Sequence, residues 1–316
     1  MEAEEYELII IGCGPAGLAA GLYAARSRLK VLLLGDLAAG GEMRGIEQVE
    51  NYPGFPDGVS GAKLGLEMMK QAMKYGLQFK LAKVEGIELQ NDYKVIEAKL
   101  IKVGEAEKVS YLTKTVIIAG GAHPNKLGVA GENEFVGKGV SYCGVCDAPQ
   151  FTERVVAVAG GGDAGLAEAL YLTRLASEIT IIELMPQLTA SKILQERVFA
   201  NPKIKIRCGT RIEAITGDDQ VRGLDLLDVS TSERTKLPAG GVLVRIGLEP
   251  NTSYLKGLLP LDSEGYVLVN EQLETSIPGI FAAGDIRHGS ARQIATAVGD
   301  GVTAALSAER LINLKY

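Results

Sequence analysis

The stretch Leu8-Ile9-Ile10-Ile11-Gly12-Cys13-Gly14-Pro15-Ala16-Gly17 decides the fold of this 316-residue chain. Glu7 to Ile11 is a short run rich in leucine and isoleucine, which is typical of a parallel strand buried on both faces. A glycine turn follows, residues 16–26 have helix-forming composition, and residues 30–34 form the next buried strand. Together they predict a β-α-β unit of about thirty residues.

The spacing of the three glycines in this turn suits a dinucleotide. The first glycine permits the turn, the second lets the backbone approach a pyrophosphate, and the third allows close packing of helix on strand. Amides at the helix start then face the phosphate charge. The predicted contacts are Gly12, Gly14, Pro15, Ala16 and Gly17, with Asp36, which comes slightly late after the second strand, as a hypothetical ribose contact. Such turns also join strands to helices in proteins that bind nothing.

A second unit of the same kind begins at Val155. The strand Val155–Ala159 enters Gly160-Gly161-Gly162-Asp163-Ala164-Gly165, a helix is predicted over 164–176, and the strand 179–183 follows. The predicted nucleotide contacts are Gly160, Gly162, Asp163 and Ala164. Further strands are predicted at 205–215, 223–228 and 240–246.

These patterns predict an α/β fold with two Rossmann-like dinucleotide-binding domains. Each has three layers, with a parallel sheet and an antiparallel β-meander, and the second domain is inserted in the first. The predicted domains are 1–122 with 250–316, and 123–249. Glycines at Gly120-Gly121 and in Gly247–Asn251 make both crossings candidate hinges.

Between the two turns lies Cys143-Gly144-Val145-Cys146-Asp147. A close cysteine pair in a chain with four cysteines indicates a redox or metal motif rather than a disulfide scaffold. Structural zinc needs four ligands, and the remaining candidates form no second close pair: Cys13, Cys208, His123 and His288. The position of the pair suggests that electrons pass from a nucleotide cofactor to a disulfide.

Composition excludes several other classes of function. The net charge is -6 and no Lys/Arg cluster stands out, which argues against nucleic acid as a partner. Residues 8–25 carry no charge, but five helix-disfavouring glycines and prolines interrupt them and acidic residues precede them, so a membrane span or signal peptide is not expected. We expect a cytoplasmic protein.

Taken in order, the motifs resemble those of the low-molecular-weight thioredoxin reductase family over almost the whole chain. They are Gly12–Gly17, Glu50-Asn51-Tyr52-Pro53-Gly54, Cys143–Asp147, Gly160–Gly165 and Ala283-Gly284-Asp285 with Arg292-Gln293. The chain also resembles the flavoprotein component of alkyl hydroperoxide reductase, without its amino-terminal redox domain. The larger disulfide reductases differ, because they carry their cysteines in the first nucleotide domain.

The resemblance implies that the first domain binds FAD and the second a pyridine nucleotide. Asn51 and Glu42 would lie beside the flavin; at the position of Glu42 the family usually has Gln. Asp285 would lie at the ribityl–phosphate portion of FAD, and Arg292 near the pyrimidine edge of the flavin ring. The full set of implied FAD contacts outside the first turn is Gly41, Glu42, Asn51, Gly120, Gly284, Asp285, Arg292, Gln293 and Ile294.

The resemblance also assigns the cysteines. Cys146 would meet the flavin, and Cys143 would attack the disulfide of the substrate protein as a thiolate. Asp147, with its pKa raised by burial, would return a proton to the leaving sulfur; an N-cap for a short helix is the competing interpretation. The family rotates one domain against the other so that the disulfide and the nicotinamide take turns at the flavin.

The nucleotide-binding pattern departs from the family after the second turn. NADPH-using members carry a basic His-Arg-Arg stretch there, whereas this chain reads Ile182-Glu183-Leu184-Met185-Pro186-Gln187-Leu188. Glu183 can accept hydrogen bonds from ribose hydroxyls and would repel a 2′-phosphate. The sequence therefore favours NADH over NADPH, while a non-nicotinamide donor stays open.

We expect an FAD-dependent oxidoreductase that reduces a thioredoxin- or glutaredoxin-like protein. The alternatives are a reductase for a peroxiredoxin system, a nucleotide-binding redox sensor without turnover and, less favoured, a flavin-only oxidase. The resemblance further implies a homodimer.

Overall fold

The structure is a computed structural model, and it describes residues 4–46, 49–101, 107–142, 144 and 147–315. Within those ranges, no helix combines the length and the apolar composition needed to cross a membrane. The chain divides into two compact units, which are Met1–His123 with Glu249–Tyr316, and Pro124–Leu248. We refer to them as unit 1 and unit 2.

Strands and helices alternate through the first part of each unit, as expected for nucleotide-binding folds. In chain order the elements are β1 (Glu4–Ile11), α1 (Pro15–Arg26), β2 (Val31–Gly35), α2 (Gly61–Lys74), β3 (Gln78–Gln90), β4 (Tyr93–Leu100), β5 (Glu107–Ile118), β6 (Ala122–Pro124), β7 (Val140–Ser141), β8 (Val155–Ala159), α3 (Asp163–Leu172), β9 (Glu178–Ile182), α4 (Lys192–Phe199), β10 (Ile204–Arg207), β11 (Thr210–Gly217), β12 (Val221–Asp228), β13 (Arg234–Pro238), β14 (Gly241–Val244), β15 (Leu248–Pro250), β16 (Ile280–Ala282) and α5 (Ile294–Lys315).

Unit 1 has three layers around a parallel sheet. β1 lies between β2 and β5, β16 pairs with the far edge of β5, and all these pairings are parallel. β3, β4 and β5 continue as an antiparallel meander. Alternate residues of β1 point to opposite faces, so Leu8 and Ile10 pack with helices α1 and α5, while Ile9 and Ile11 pack with the meander.

Unit 2 repeats this arrangement at a smaller scale. Its parallel sheet has the order β10-β9-β8-β14-β7, and β11, β12 and β13 form an antiparallel meander. Val156 and Val158 pack with helix α3, whereas Ala157 and Ala159 pack with the meander. The prediction of an α/β fold with two three-layer Rossmann-like domains is confirmed.

The chain enters and leaves unit 2 through the paired strands β6 and β15. The Asn125 amide donates to the Gly247 carbonyl at 3.0 Å, and the Asn251 amide donates to the Gly121 carbonyl at 3.0 Å. The Asn251 side chain also donates to the Gly120 carbonyl at 2.9 Å. The two crossings are therefore joined by hydrogen bonds along their length.

The structure corrects several predicted elements. The single strand predicted over 205–215 is wrong, because the chain turns at Gly209, with φ of 63°, and continues as β11 in a different sheet. Helix α3 ends at Leu172 rather than at 176. Helix α5 begins at Ile294, after Arg292, which has φ of 55°. Helix α4 and strand β13 were not predicted.

Candidate functional site

The turn Gly12–Gly17 has the geometry that its glycine spacing predicts. Gly12 has φ of 109°, and a Cβ there would lie 2.2 Å from the carbonyl oxygen of Ala119, the residue that follows the neighbouring strand β5. A Cβ on Gly17 would lie 1.9 Å from the Gly12 carbonyl oxygen, so helix α1 packs directly on the turn. A Cβ on Gly14, in contrast, would have no described protein atom within 4 Å. Two glycines thus hold the turn closed, and the middle one faces open space.

Several of the predicted FAD residues from distant parts of unit 1 meet at this turn. A Cβ on Gly41 would lie 3.1 Å from the Gly14 Cα, and a Cβ on Gly284 would lie 2.9 Å from the Ala16 Cβ. A Cβ on Gly12 would come within 2.9 Å of the Gly120 amide nitrogen. Backbone can approach closely here because side chains are absent, which is the condition for a phosphate to reach main-chain amides.

Cys13 has a packing role in the turn. Its Sγ donates to the Leu37 carbonyl at 3.0 Å, and the Gly40 amide donates to the Cys13 carbonyl at 2.8 Å. Burial raises the pKa of the Cys13 thiol, so the neutral form is favoured. Cys13 therefore fixes the loop that follows β2.

Two residues assigned to the flavin contact each other although they lie 242 positions apart. The Asn51 side chain donates to the Gln293 Oε1 at 3.0 Å. Arg292 directly precedes Gln293, just before helix α5, and its guanidinium stacks over the Tyr266 ring, 4.8 Å from the centroid. Glu42 lies exposed in a short 3₁₀ helix. The structure thus joins the loop around Asn51 to the beginning of α5.

Asp285 lies between two buried neighbours in the short 3₁₀ helix that follows β16. Its carboxylate accepts a long 3.4 Å hydrogen bond from the Ser290 hydroxyl, and burial raises its pKa above the usual range. The adjacent Gly284 amide donates to Asp300 at 3.0 Å, and Asp300 also holds Arg287 in a bidentate ion pair. Asp285 is a carboxyl group with spare acceptor capacity beside the glycine turn.

The second turn is built in the same way as the first. Gly160 has φ of 118°, and a Cβ there would lie 2.1 Å from the carbonyl oxygen of Arg245, the residue that follows β14. A Cβ on Gly165 would lie 2.1 Å from the Gly160 carbonyl oxygen, while one on Gly162 would meet nothing closer than the Thr189 hydroxyl at 3.7 Å. Both turns therefore hold a helix N-terminus against a backbone that leaves room for a phosphate.

Glu183 follows β9 and is bound to the second turn. Its side chain is buried, with 9% exposed. Oε2 accepts the Gly161 amide at 2.5 Å, and Oε1 accepts the Met185 amide at 2.8 Å. Each carboxylate oxygen keeps one further acceptor position, so the group can still receive ribose hydroxyls.

Asp163, at the first position of α3, accepts the Ser191 amide at 2.5 Å, while Ala164 beside it is exposed. The Thr189 and Ala190 amides donate to the Gly161 carbonyl. The loop after β9 is thus fastened to the glycine turn, a contact that sequence spacing did not predict.

Cys143, Val145 and Cys146 lie outside the described residues, so the assigned redox pair stays a prediction. Asp147 is described, and the expected burial of its carboxylate is wrong, because the residue is exposed. It stands at the N-cap of a 3₁₀ helix over Ala148–Phe151, but its side chain accepts the Ser141 hydroxyl at 2.7 Å instead of a helix amide.

Sequence reasoning missed a set of charged residues around this motif. Glu132 accepts the Leu127 and Gly128 amides and the Tyr142 hydroxyl, and Glu168 forms an ion pair with Arg245. Arg245 was visible in the sequence as a single basic residue within an apolar strand, and that signal could have identified it.

The residues present fit FAD in unit 1 and a second dinucleotide in unit 2. In each turn the middle glycine, Gly14 or Gly162, leaves a space that a Cβ would occupy. Each turn also leads into the N-terminus of a helix. Among the described residues, no group of three or more His, Cys, Asp and Glu side chains could hold a metal ion.

Comparison with known proteins places the chain among enzymes. A family model described as pyridine nucleotide-disulphide oxidoreductase matches residues 6–301. Thioredoxin reductase from Peptoclostridium acidaminophilum is 39% identical over 317 residues, covering 98% of each chain. The chain belongs to the thioredoxin reductase family. It is therefore a flavoprotein oxidoreductase, and membership implies FAD and a nicotinamide nucleotide as cofactors.

Solved structures agree with this family assignment. Thioredoxin reductase from Lactococcus lactis, in its FR conformation, superposes with a TM-score of 0.92 at 38% identity, covering 98% of this chain and 99% of that one. A ferredoxin-flavin thioredoxin reductase from Clostridium acetobutylicum has 30% identity and a TM-score of 0.52, covering 99% of this chain and 100% of that one. The resemblance to the low-molecular-weight thioredoxin reductases is confirmed.

Proposed function

We propose that this thioredoxin reductase takes electrons from NADH and passes them through FAD and a Cys143–Cys146 disulfide to a thioredoxin-like protein. The observation that carries this proposal is the pair of equivalently built glycine turns, one in each unit, with the Cys-x-x-Cys motif leading into the second. FAD, when bound, would relay two electrons between nicotinamide and disulfide.

The chain's own residues would bind FAD and transfer the protons that disulfide reduction requires. The amides of the first turn would hold the FAD pyrophosphate, Asp285 a sugar hydroxyl, and Asn51 with Gln293 the flavin edge. Reduction of the disulfide consumes two electrons and two protons and gives two thiols. The Cys143 thiolate then attacks the partner disulfide, and the mixed disulfide is resolved by Cys146, which leaves the partner as a dithiol. Asp147 is exposed and could exchange the required proton with water.

Preference for NADH rests on the fixed charge of Glu183. Its carboxylate is held at the second turn by two backbone amides, and Leu184 and Met185, which follow it, are exposed apolar residues. A 2′-phosphate carries about -1.5 to -2 charge, so a buried carboxylate repels it, and the segment 182–188 offers no basic side chain in return.

The donor is tested by mixing the anaerobic, FAD-loaded protein with NADH or NADPH and following flavin absorbance. We expect rapid bleaching by NADH and at least about tenfold slower bleaching by NADPH at equal concentration, a difference of about 1.4 kcal/mol. Glu183→Gln should reduce that ratio, whereas Glu213→Gln should leave it unchanged, because Glu213 is a half-buried carboxylate elsewhere in unit 2 whose partner is the exposed Arg234. Bleaching by NADPH alone would contradict the role of Glu183.

A non-nicotinamide donor is the second candidate. Both Glu183 oxygens already accept backbone amides, which reduces what is left for a ribose, and the Clostridium acetobutylicum relative is named for ferredoxin. Bleaching by neither nucleotide, together with bleaching by reduced ferredoxin, would favour this candidate.

The acceptor is tested with a thioredoxin, a glutaredoxin and a peroxiredoxin system as substrates, and turnover with thioredoxin is expected to be fastest. Nucleotide binding without any turnover would favour the redox sensor instead. The homodimer, the cytoplasmic location and the rotation of one domain against the other stay predictions; size-exclusion chromatography with light scattering tests the first of them.

A further inference from the structure

A partly buried ion pair contacts the main chain on both sides of Cys143. Glu168 Oε2 accepts the Gly144 amide at 2.6 Å, and Arg245 Nη1 donates to the Tyr142 carbonyl at 3.1 Å. The two side chains join each other through Arg245 Nη2 and Glu168 Oε1 at 2.8 Å. Cys143 lies between Tyr142 and Gly144 in the chain, so the pair holds both of its neighbours.

The two charged residues come from the elements that form the second glycine turn. Glu168 lies on helix α3, which begins at that turn, and Arg245 directly follows β14 and packs its own carbonyl on Gly160. Their side chains are 15% and 21% exposed. The segment before and after Cys143 is therefore fastened to the nucleotide-binding framework of its own unit.

Stability alone does not account for this pair. Burial raises the pKa of Glu168, and the nearby Arg245 guanidinium and the Gly144 amide offset only part of that effect. A buried ion pair is often no more stabilising than apolar residues of the same volume. Its specific contribution here is geometric, because each partner uses one polar atom for the other and a second for the Cys143 segment.

A third group fixes the same segment from the Tyr142 side chain. The Tyr142 hydroxyl donates to Glu132 at 2.8 Å, and Glu132 is itself held by the Leu127 and Gly128 amides at 2.8 and 2.7 Å. Tyr142 is thus bound at its carbonyl by Arg245 and at its hydroxyl by Glu132. With two anchors on Tyr142 and one on Gly144, the main chain beside Cys143 has little freedom.

We propose that Glu168 and Arg245 are positioning residues that set the dithiol–disulfide equilibrium of the Cys143–Cys146 pair by fixing the backbone at Tyr142 and Gly144. This inference rests on the proposed function, because it takes the two cysteines as the redox couple. Closing a disulfide requires the chain to adopt one geometry, whereas the dithiol tolerates many. Because Tyr142 and Gly144 are already held in place, closing the disulfide costs these two residues less entropy, so the Glu168–Arg245 ion pair favours the disulfide.

The test uses full-length, FAD-loaded protein with four single variants. Glu168→Leu removes both contacts of the carboxylate, and Arg245→Met removes both contacts of the guanidinium. Glu168→Gln keeps an oxygen that can accept the Gly144 amide but loses the ion pair. Glu213→Gln is the matched control, because it breaks an exposed ion pair with Arg234 in the same unit.

The first measurement is amide hydrogen exchange, resolved to Gly144 by fragmentation mass spectrometry. We expect exchange at Gly144 to be about tenfold faster in Glu168→Leu, because the acceptor of that amide is gone. Glu168→Gln should recover most of the protection, and Glu213→Gln should match the unmodified chain. Unchanged exchange in Glu168→Leu would overturn the proposal.

The second measurement is equilibration with glutathione redox buffers, followed by alkylation and mass spectrometry of the peptides with Cys143 and Cys146. We expect the equilibrium constant to move about tenfold toward the dithiol in Glu168→Leu and Arg245→Met, which corresponds to about 30 mV for two electrons. Glu168→Gln should lie within about threefold of the unmodified chain. A general loss of thermal stability without a change in this equilibrium would also overturn the proposal.

These measurements separate the inference from the proposed function. Neither measurement requires a nicotinamide or a thioredoxin. Both can therefore be interpreted even if the proposed electron donor or acceptor is wrong. An unmodified chain that forms no Cys143–Cys146 disulfide at any glutathione ratio would refute the proposed redox couple. A normal disulfide whose equilibrium ignores Glu168 and Arg245 would refute the positioning role alone.

Discussion

Adding a single methyl group to the middle glycine of either turn should remove its ligand without unfolding the protein. Gly14 has φ of -73° and ψ of -177°, and Gly162 has φ of -86° and ψ of 178°. Alanine adopts these angles freely, and the new methyl at Gly14 would meet no described protein atom within 4 Å. The space that it fills is the space proposed for a phosphate.

The expected effects can be separated by size. Gly→Ala stabilises by about 0.4–1 kcal/mol through the unfolded state, and the poorer N-cap costs up to about 1 kcal/mol, so the free energy of unfolding of the FAD-free chain should change by less than about 1 kcal/mol. Displacing a phosphate from two backbone amides costs about 3 kcal/mol, since each such bond contributes about 1.5–3 kcal/mol. The Kd for FAD in Gly14→Ala should therefore rise about 100-fold.

The assay is FAD titration of the FAD-free protein by quenching of flavin fluorescence, beside urea unfolding of the same samples. Gly17→Ala is the control for a structural glycine, because its methyl would lie 1.9 Å from the Gly12 carbonyl and should cost about 3 kcal/mol or more. Gly162→Ala should keep FAD but lose bleaching by NADH. Unchanged FAD affinity in Gly14→Ala would refute the assignment of the first turn to the pyrophosphate.

Three further outcomes follow from contacts in the structure. Glu132→Leu leaves two backbone amides without their acceptor and should lower the free energy of unfolding by about 2–3 kcal/mol in urea titration; a loss below about 0.5 kcal/mol contradicts its role. Because burial raises the pKa of Asp285, this group's contribution to stability is present below its usual pKa near 3.9 and is lost as pH rises through the raised value. Asp285→Asn should therefore make the FAD-free chain more stable than the unmodified chain near neutral pH while weakening FAD binding, and a difference in stability between the two chains that is the same at pH 4 and pH 7 would contradict this prediction. Asn51→Ala and Gln293→Ala should weaken FAD binding by similar factors that do not multiply in the double variant, since each removes the same 3.0 Å hydrogen bond; full multiplication in the Kd would show that the two side chains act independently.

The glycine turns could be predicted from sequence because their requirements are local. Gly12 and Gly160 need a positive φ, and Gly17 and Gly165 need contact with a carbonyl, so the residue type is dictated within a few positions. Apolar runs likewise predicted the buried strands. The break between β10 and β11 at Gly209 could not be predicted, because the residues on both sides have the composition of strands. Only the positive φ of Gly209 separates the two strands.

The charged contacts could not be predicted because they join distant parts of the chain. Glu168 and Arg245 lie far apart in the sequence, and no periodic pattern relates a helix residue to a residue after a strand. The Asn51–Gln293 contact spans 242 positions and became plausible only through the family resemblance. Arg292 adopts a left-handed backbone conformation, which composition does not reveal, so helix α5 begins after it, at Ile294.

The two ends of unit 2 lie close together, so another domain could be inserted in its place. The chain goes in and comes out through neighbouring strands, with the Asn125 amide only 3.0 Å from the Gly247 carbonyl. A domain from another protein whose own ends lie equally close could replace residues 124–248 without distorting the backbone of unit 1. Transplanting the corresponding segment of an NADPH-dependent relative would then transfer coenzyme choice as one module.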